Sequence, residues 1–469
     1  MRSPRTATAL VLTGALAAGL LAGCANDDPA EDPSVDAEAG EDAEPEEITL
    51  SVVSLIPGSE PEAFAAFDER VAEFEEMYPY ITVEGVEYEW RATTFAAQLA
   101  GGTLPDVYEI PLTDAKTLIQ NGQLADLDAE FAQLDYANEF NEQLLAAGTG
   151  EDGHVYAIPA KSIYGVALHY NRDLFEQAGL DPDDPPTTWD EVAEYAAQIK
   201  RETGVAGFAT MAANNTGGWQ MTAATYARGG RVQEANEDGT YTATLDNDAT
   251  RAHLEFLHEL RWTDDAILAD TTLDWGTINQ AFAAGQLAMY TSGSDVLNSL
   301  METNGLDPAT YGLTAMPLEG DDAGVLVGGT LAAVNVSADD ATKDAAIKWI
   351  DFWYLSTLRD EQQAVRDSQV RNEGGQGVGT PVLPIFSREQ YEQELEWKAD
   401  YINVPLDQMT GYTDVMFDQP VVGEPSRQTQ PFYGLLDSAV QAVLTDEGVD
   451  IDALLADLNE QAQALLDSE

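Results

Sequence analysis

From residue 48 onwards, strand-like segments alternate with segments that have helical spacing, and this alternation limits the fold more than any other feature. Residues 48–53, which form an apolar run, and residues 81–86 and 105–110 are the first three strand-like segments. Between the first two, apolar side chains recur every three or four positions up to Met77, as on one face of a helix. Strands and helices in alternation predict α/β units with mainly parallel sheets.

The charge of the chain excludes some classes of partner. There are 84 Asp and Glu residues against 21 Lys and Arg, so the net charge is -63. Such a surface repels phosphate backbones, which excludes sequence-independent nucleic-acid binding. It also disfavours an anionic solute, unless a local basic pocket is present. A saline habitat explains the acidity because counterions screen self-repulsion; an ordinary acidic secreted protein is the alternative.

The amino terminus has the pattern of a lipoprotein signal peptide. Arg2 and Arg5 precede an apolar stretch over 7–22, which is too short for a typical membrane span. It ends in Leu21-Ala22-Gly23-Cys24, which contains the only cysteine of the chain and resembles the bacterial lipobox. The sequence therefore predicts a signal peptide over 1–23 and acylation of Cys24, with palmitate or similar chains that anchor the protein at the extracellular face of the membrane.

The segment that follows is predicted to be a flexible acidic linker, residues 24–47. Positions 25–47 hold eleven acidic residues and no Lys or Arg. A segment of this composition cannot bury enough apolar surface to fold. The folded body is therefore expected to begin near Ile48.

The sequence contains no recognisable catalytic or metal-binding motif. It lacks G-x-S-x-G, a Walker lysine and H-E-x-x-H. One cysteine cannot form a thiolate metal cage, and His253 and His258 would lie about 140° apart on a helix. We therefore assign no catalytic residue, metal or cofactor, and predict that the chain is not an enzyme. Because two carboxylates suffice to hydrolyse a glycoside, a surface-anchored glycoside hydrolase is the main alternative.

Four segments resemble one known family. They are Gly-Gly-Thr-Leu-Pro-Asp-Val at 101–107, Tyr-Asn-Arg-Asp-Leu-Phe-Glu-Gln-Ala-Gly-Leu at 170–180, Pro-Thr-Thr-Trp-Asp-Glu at 186–191 and Phe-Ala-Ala-Gly-Gln-Leu-Ala-Met-Tyr at 282–290. In this order, after a lipobox, they resemble the extracellular solute-binding proteins of ABC importers, in the maltose-binding-protein-like carbohydrate family.

The resemblance implies a periplasmic-binding-protein-like α/β fold with two lobes joined by a hinge that the chain crosses several times. Lobe one would comprise 48–160 and 292–333, and lobe two 161–291 and 334–469. A monomer would capture a sugar or oligosaccharide between the lobes and deliver it to the transmembrane subunits of an ABC permease. A non-sugar solute, or a lipoprotein that only presents a surface to other proteins, are further alternatives.

Two arguments select candidate ligand-binding residues. Ligands of parallel α/β sheets lie beyond the carboxyl ends of strands, which favours Glu109 and the residues after the run 286–290. Sugars bind to planar acceptors and aromatic faces, which favours tryptophans in presumed loops; packing on a lobe surface is the alternative for each ring. The predicted ligand-binding residues are Trp90, Glu109, Trp219, Trp275, Ser294 and Asp295.

Overall fold

The structure is a computed structural model that describes residues 47–55, 57, 61–236 and 238–468. The predicted signal peptide, Cys24 and the linker up to residue 46 lie outside the described residues. Within the described ranges, no helix combines the length and the apolar character needed to cross a membrane.

Strands from distant parts of the chain form one large mixed sheet. Its continuous path runs β2-β1-β3-β10-β4-β8-β5, with β11 paired to β10 and β9 paired to β4. The strands of this sheet are β1 (Ile48–Val53), β2 (Ile81–Val86), β3 (Val107–Pro111), β4 (Ala157–Asn171), β5 (Ala206–Phe208), β8 (Leu287–Gly293), β9 (Tyr311–Ala315), β10 (Val325–Val334) and β11 (Val421–Gly423). The strands β6 (Gln233–Ala235) and β7 (Tyr241–Ala243) form a separate antiparallel pair.

Helices follow most of these strands. The first half of the chain contains α1 (Pro61–Met77), α2 (Ala92–Gly101), α3 (Ala115–Gln120), α4 (Asp128–Phe131), α5 (Glu142–Leu145), α6 (Arg172–Ala178), α7 (Trp189–Thr203) and α8 (Thr216–Ala227). The second half contains α9 (Asp248–Trp262), α10 (Trp275–Ala283), α11 (Val296–Glu302), α12 (Asp340–Ile350), α13 (Ser356–Arg359), α14 (Glu361–Glu373), α15 (Arg388–Lys398), α16 (Thr410–Thr413), α17 (Thr429–Thr445) and α18 (Ile451–Leu466).

The strand β4 connects two groups of strands. Its first part, up to Gly165, pairs with β10, whereas its second part, from Val166, pairs with β8 and β9. These central pairings are antiparallel, and so is the pairing of β10 with β3. The outer pairings of β1 with β2 and β3, of β5 with β8 and of β10 with β11 are parallel. This arrangement confirms the periplasmic-binding-protein-like α/β fold.

The pairing of β4 with β10 is interrupted within the first part of β4, close to where its two parts meet. The register shifts around Gly329, whose φ is 141°, and Ser162 on β4 has a φ of 50°. A Cβ atom at Gly329 would lie 2.7 Å from the Ser162 carbonyl oxygen. Glycine is therefore required here, since its missing side chain permits both the positive φ and the close approach of the strands.

Helix packing bears on how the chain divides between the two groups of strands. The helix α12 contacts β1, and its Trp349 packs edge-on against Phe74 of α1. These contacts place α12 beside the amino-terminal strands, although the predicted lobe two includes residues 334–469. A separate cluster buries Trp189 of α7, and α17 there contacts α8, α9 and α18. The division into lobes stays a prediction.

Candidate functional site

The strongest candidate site is a cavity of about 400 Å³ beyond the carboxyl end of β8. We call it the first cavity. Its walls come from β4, the residue after β11, α17 and the first turns of α8 and α10. The lining residues are Tyr164, Asn214, Asn215, Thr216, Trp219, Trp275, Gly293, Asp295, Glu424, Gln430 and Tyr433. Three of the predicted residues, Trp219, Trp275 and Asp295, are therefore brought together.

Asp295 supplies a carboxylate at the position that the strand-end argument selects. It follows β8 and is only partly exposed. Burial raises the pKa of its carboxyl to about 6. None of the salt bridges among the described residues involves Asp295, so its charge is not neutralised by a neighbouring cation. A hydroxyl donor from a solute would compensate for the lost water.

Glu424 supplies a second carboxylate, and the sequence analysis did not select it. Burial, with a smaller contribution from the negative charge of Asp114, raises the pKa of its carboxyl to about 7. The Tyr433 hydroxyl donates a hydrogen bond to Glu424 Oε2 at 2.9 Å. This donor holds the carboxyl in place while its pKa lies near neutral pH.

Trp219 lies in the first turn of α8 and not in a loop as predicted. Asp437 of α17 fixes this turn, because its carboxylate accepts hydrogen bonds from the backbone N–H groups of Asn215 and Gly218 at 2.7 Å. The Trp219 ring stands edge-on to Tyr164, with centroids 6.3 Å apart. The orientation of this tryptophan is thus set by α17 and β4 together.

Trp275 is the first residue of α10 and likewise not a loop residue. Asp274 caps the helix by accepting from the backbone N–H of Thr277 at 2.9 Å. Asp274 also accepts from Asn214 at 2.9 Å, which ties the start of α10 to the segment before α8. The Trp275 side chain is 45% exposed. An exposed ring on a capped helix can stack on a sugar without first leaving a core.

The other three predicted residues do not line the first cavity. Trp90 packs on Phe95 with ring centroids 4.7 Å apart. Ser294 is fully buried. Glu109 forms a salt bridge of 2.6 Å with Lys161 and accepts from the Tyr354 hydroxyl at 2.9 Å. These geometries favour structural roles, and direct solute contacts by the three residues stay a prediction.

A second cavity, of about 540 Å³, adjoins the first. Trp275 and Asp295 line both cavities. Lys161 and Tyr354, the two partners of Glu109, also line the second cavity. The two spaces therefore meet at one tryptophan and one carboxylate.

The charges of the first cavity limit what it can bind. Among the residues that the structure describes, those with a formal charge on its wall are Asp295 and Glu424, and no basic side chain lines it. The amino terminus of α8, which could attract an anion, is occupied by Asp437. In the described part of the chain, no group of three or more His, Cys, Asp or Glu residues is placed to hold a metal ion. The cavity suits a neutral, hydroxyl-rich solute.

The raised pKa of Asp295 predicts a pH-dependent gain in stability for Asp295→Asn. A raised native pKa destabilises the folded protein above that pKa, and the effect disappears below the unfolded value near 4. The variant should therefore exceed the wild type in free energy of unfolding by on the order of 1–3 kcal/mol at pH 8. The difference should shrink by pH 4.5. Urea titrations at the two pH values measure it.

Asp274→Asn is the matched control for this pH dependence. Hydrogen bonds from Thr277 lower the pKa of Asp274, so its stabilisation is present above pH 4 and is lost on acidification. This variant should be equal to the wild type or less stable at pH 8. A gain at pH 8 in both variants, or a gain for Asp295→Asn that does not change with pH, would contradict the assignment.

Curated relatives match part of the chain. The sn-glycerol-3-phosphate-binding periplasmic protein UgpB of Shigella dysenteriae is 31% identical over 217 residues, which are 43% of this chain and 45% of that protein. Its Salmonella typhimurium counterpart is 26% identical over 298 residues, 59% of this chain and 63% of that protein. The chain thus spans about half to three fifths of the length of these relatives.

Solved structures share the fold over most of the chain. The cyclic alpha-maltosyl-1,6-maltose binding protein of Arthrobacter globiformis superposes with a TM-score of 0.65 at 22% identity, covering 91% of this chain and 100% of that one. A family model, the bacterial extracellular solute-binding protein, matches residues 69–364. That match covers more than half of the sequence. The chain therefore belongs to the family of bacterial extracellular solute-binding proteins.

Proposed function

We propose that this protein is the substrate-binding lipoprotein of an ABC importer and that it captures a neutral sugar or oligosaccharide in the first cavity for delivery to a membrane permease. The observation that carries the proposal is that tryptophan and tyrosine rings line one cavity together with two carboxylates, and that no basic side chain of the described residues lines it. Carboxylates accept from sugar hydroxyls, and rings pack on the apolar faces of the sugar.

Charge argues against a phosphorylated solute, although the curated relatives are named for sn-glycerol 3-phosphate. A phosphate would be placed between Asp295 and Glu424 with no lysine or arginine on the described wall. Recognition of a phosphate normally relies on Arg or Lys side chains or on a free helix amino terminus. We therefore infer that the solute of this chain differs from the one in those relatives' names.

We also propose that the two groups of strands joined by β4 and β10 act as lobes that close on the solute. The interruption at Gly329 and Ser162 lies where both strands pass from one group to the other. Hinges are a few residues that absorb a change of backbone angles. The packing of α12 on β1 favours a lobe one that includes residues 340–350.

A thermal-shift screen of the folded body from residue 47 tests the proposed function. Glucose, tagatose, mannitol, maltose and maltotetraose are compared with sn-glycerol 3-phosphate. A solute present at 100 times its dissociation constant should add about 2.7 kcal/mol of stability. We expect a shift with at least one neutral sugar and none with the phosphate.

The same samples are analysed for sugar products, because product release would favour the hydrolase alternative. A shift with sn-glycerol 3-phosphate alone would contradict the neutral-sugar proposal. If no solute produced a shift, two alternatives would be favoured: a different, non-sugar solute, and a lipoprotein that binds only other proteins.

The lipid anchor is a separate proposal that rests on the sequence Leu21-Ala22-Gly23-Cys24. In a bacterial host, Cys24→Ala should release the protein from the membrane fraction, since the acylated thiol would be missing. Immunoblots of salt-washed membranes and of medium measure the distribution. Asn26→Ala, two residues further on, serves as the control and should stay with the membranes. Retention of Cys24→Ala after the salt wash would contradict the anchor.

A further inference from the structure

The segment that leads into α8 contains two consecutive residues in the left-handed region of the backbone. The φ angle is 57° at Asn214 and 66° at Asn215, a conformation that glycine adopts freely and that other residues largely avoid. Asparagine tolerates it better than most residues, but less well than glycine. Both residues line the first cavity. The reason for an amide side chain at these two positions therefore lies in its contacts and not in the backbone conformation.

The Asn214 side chain links the start of α8 to the start of α10. Its amide nitrogen donates to Asp274 Oδ2 at 2.9 Å, and the other carboxylate oxygen of Asp274 caps α10 through the backbone N–H of Thr277. One carboxylate thus connects two helix starts. Trp275 follows Asp274 directly, so the link from Asn214 acts on the backbone that carries the exposed ring.

Backbone hydrogen bonds join the two segments just before this link. The N–H groups of Ala212 and Ala213 donate to the Leu273 carbonyl at 2.8 Å and 3.1 Å. These two bonds end at the second residue before Trp275, whereas the bond from Asn214 ends at the residue directly before it. Of these three hydrogen bonds, the one from Asn214 therefore acts nearest to the ring.

Asn215 shows the same pattern towards a different helix. It is the residue before α8, where an asparagine side chain usually caps the helix, yet its side chain makes no capping hydrogen bond. Asp437 accepts from the backbone there instead. The Asn215 amide nitrogen donates to Gln430 Oε1 of α17 at 3.0 Å. Two adjacent amides in a strained conformation thus reach two different helices that border the cavity.

The link from Asn214 contributes more to geometry than to stability. It joins side chains that are open to solvent, where water competes for the same donors and acceptors and the net gain is small. A binding group that is already oriented loses less freedom when a solute arrives, and its affinity is higher for that reason. Backbone strain that is maintained next to a binding cavity is typical of such preorganised sites.

We propose that Asn214 is a positioning residue, whose hydrogen bond to Asp274 orients Trp275 for stacking before the solute arrives. This inference rests on the proposed function for the nature of the solute as a sugar. It adds a residue that affects affinity through the Trp275 ring. Glycine at position 214 would relax the backbone but would leave the start of α10 without this link.

Two variants break the link from opposite sides. Asn214→Gly removes the amide and keeps a residue that adopts the left-handed conformation. Asp274→Ser removes the acceptor of Asn214 but retains a side chain that caps α10. Asp274 lines neither cavity, so its replacement tests the link without removing a wall residue. Both variants should unfold at nearly the same urea concentration as the wild type, because an exposed hydrogen bond adds little to stability.

Fluorine NMR of protein labelled with 5-fluorotryptophan reports on the ring without any solute. The Trp275 resonance is assigned by its absence from Trp275→Phe. In Asn214→Gly and in Asp274→Ser it should narrow and shift towards the resonance of free 5-fluorotryptophan, because the ring gains freedom. Asn215→Gly is the matched control: it makes the same substitution in the same backbone conformation but breaks the link to Gln430. The Trp275 resonance should not change in this control.

Calorimetry with glucose, maltose and maltotetraose measures the effect on binding. Asn214→Gly and Asp274→Ser should each weaken the affinity for the sugars that bind by about 2- to 10-fold, the cost of ordering one side chain that the free protein no longer holds. The double variant should bind no more weakly than the single variants, since both substitutions remove the same link.

Weaker binding in Asn214→Gly together with wild-type binding in Asp274→Ser would mean that Asn214 contacts the solute directly, and would overturn the positioning role. Additive losses in the double variant, or an unchanged Trp275 resonance in both single variants, would overturn it as well. If none of the three sugars binds to the wild type, the result counts against the proposed function, and the Trp275 resonance alone decides whether Asn214 positions the ring.

Discussion

Replacing Trp275 by alanine is expected to weaken sugar binding by about 1–3 kcal/mol, or roughly 5- to 150-fold in dissociation constant, while stability hardly changes. The ring is 45% exposed and lines both cavities. Its removal therefore takes a stacking surface from the solute without opening a void in a core. Calorimetry with the best solute of the screen measures the affinity, and urea unfolding measures the stability.

Met77→Ala is the control for this experiment. Met77 is 58% exposed and lies at the end of α1, so it lines neither cavity. Its truncation should change neither affinity nor stability appreciably. Trp275→Ala with wild-type affinity would contradict the aromatic wall of the first cavity, while the family assignment would stand.

Trp219→Ala is a less specific test of the aromatic wall of the first cavity. The Trp219 ring is partly buried and packs against buried side chains of both core clusters. Its loss should weaken binding and also destabilise the fold, although the sequence alone suggested an independent loop. The two tryptophan variants therefore distinguish two effects. Loss of stacking alone lowers the affinity, whereas loss of structural support for the site also lowers the stability.

Local patterns predicted the amino-terminal part of the fold well. Residues 48–53 and 81–86 coincide with β1 and β2. Apolar side chains fill the buried positions of β1, whereas β2, at the edge of the sheet, buries Ile81 and Val83 in alternation. The Thr-Trp-Asp-Glu pattern at 188–191 likewise forms a capping box at the start of α7. Both signals arise within a few residues, so tertiary contacts are not needed to recognise them.

The strand-end argument shows where sequence reasoning stops. It selected Glu109 and Asp295 equally, yet Glu109 is paired with Lys161 and Asp295 forms no salt bridge. The difference arises because β4, which is distant in sequence, brings Lys161 to Glu109. Glu424 was missed for a similar reason, since β11 reaches the cavity only by pairing with β10. No sequence pattern within residues 421–424 indicates that this segment pairs with β10.

Gly217 and Gly218 precede Trp219, and instead of the predicted loop they form a point where two helices touch. A Cβ atom at Gly218 would lie 2.0 Å from the Tyr433 carbonyl oxygen of α17. The helices α8 and α17 therefore approach so closely that only glycine fits at this contact. The same two helices carry Trp219 and Tyr433, both of which line the first cavity. The close packing thus sets the geometry of the site.

Gly218→Ala is accordingly expected to lower the free energy of unfolding by about 1–3 kcal/mol or more, because one helix must move away from the other to admit the methyl group. The movement should displace Trp219 and weaken sugar binding as well. Urea unfolding and calorimetry on the same preparation measure the two effects.

Gly276→Ala is the matched control. A Cβ atom at Gly276 would lie 3.8 Å from the nearest atom, Asp274 Oδ1, and alanine in a helix should be about 0.5–1 kcal/mol more favourable than glycine. Wild-type stability and affinity in Gly218→Ala would mean that α8 and α17 do not hold the wall of the cavity.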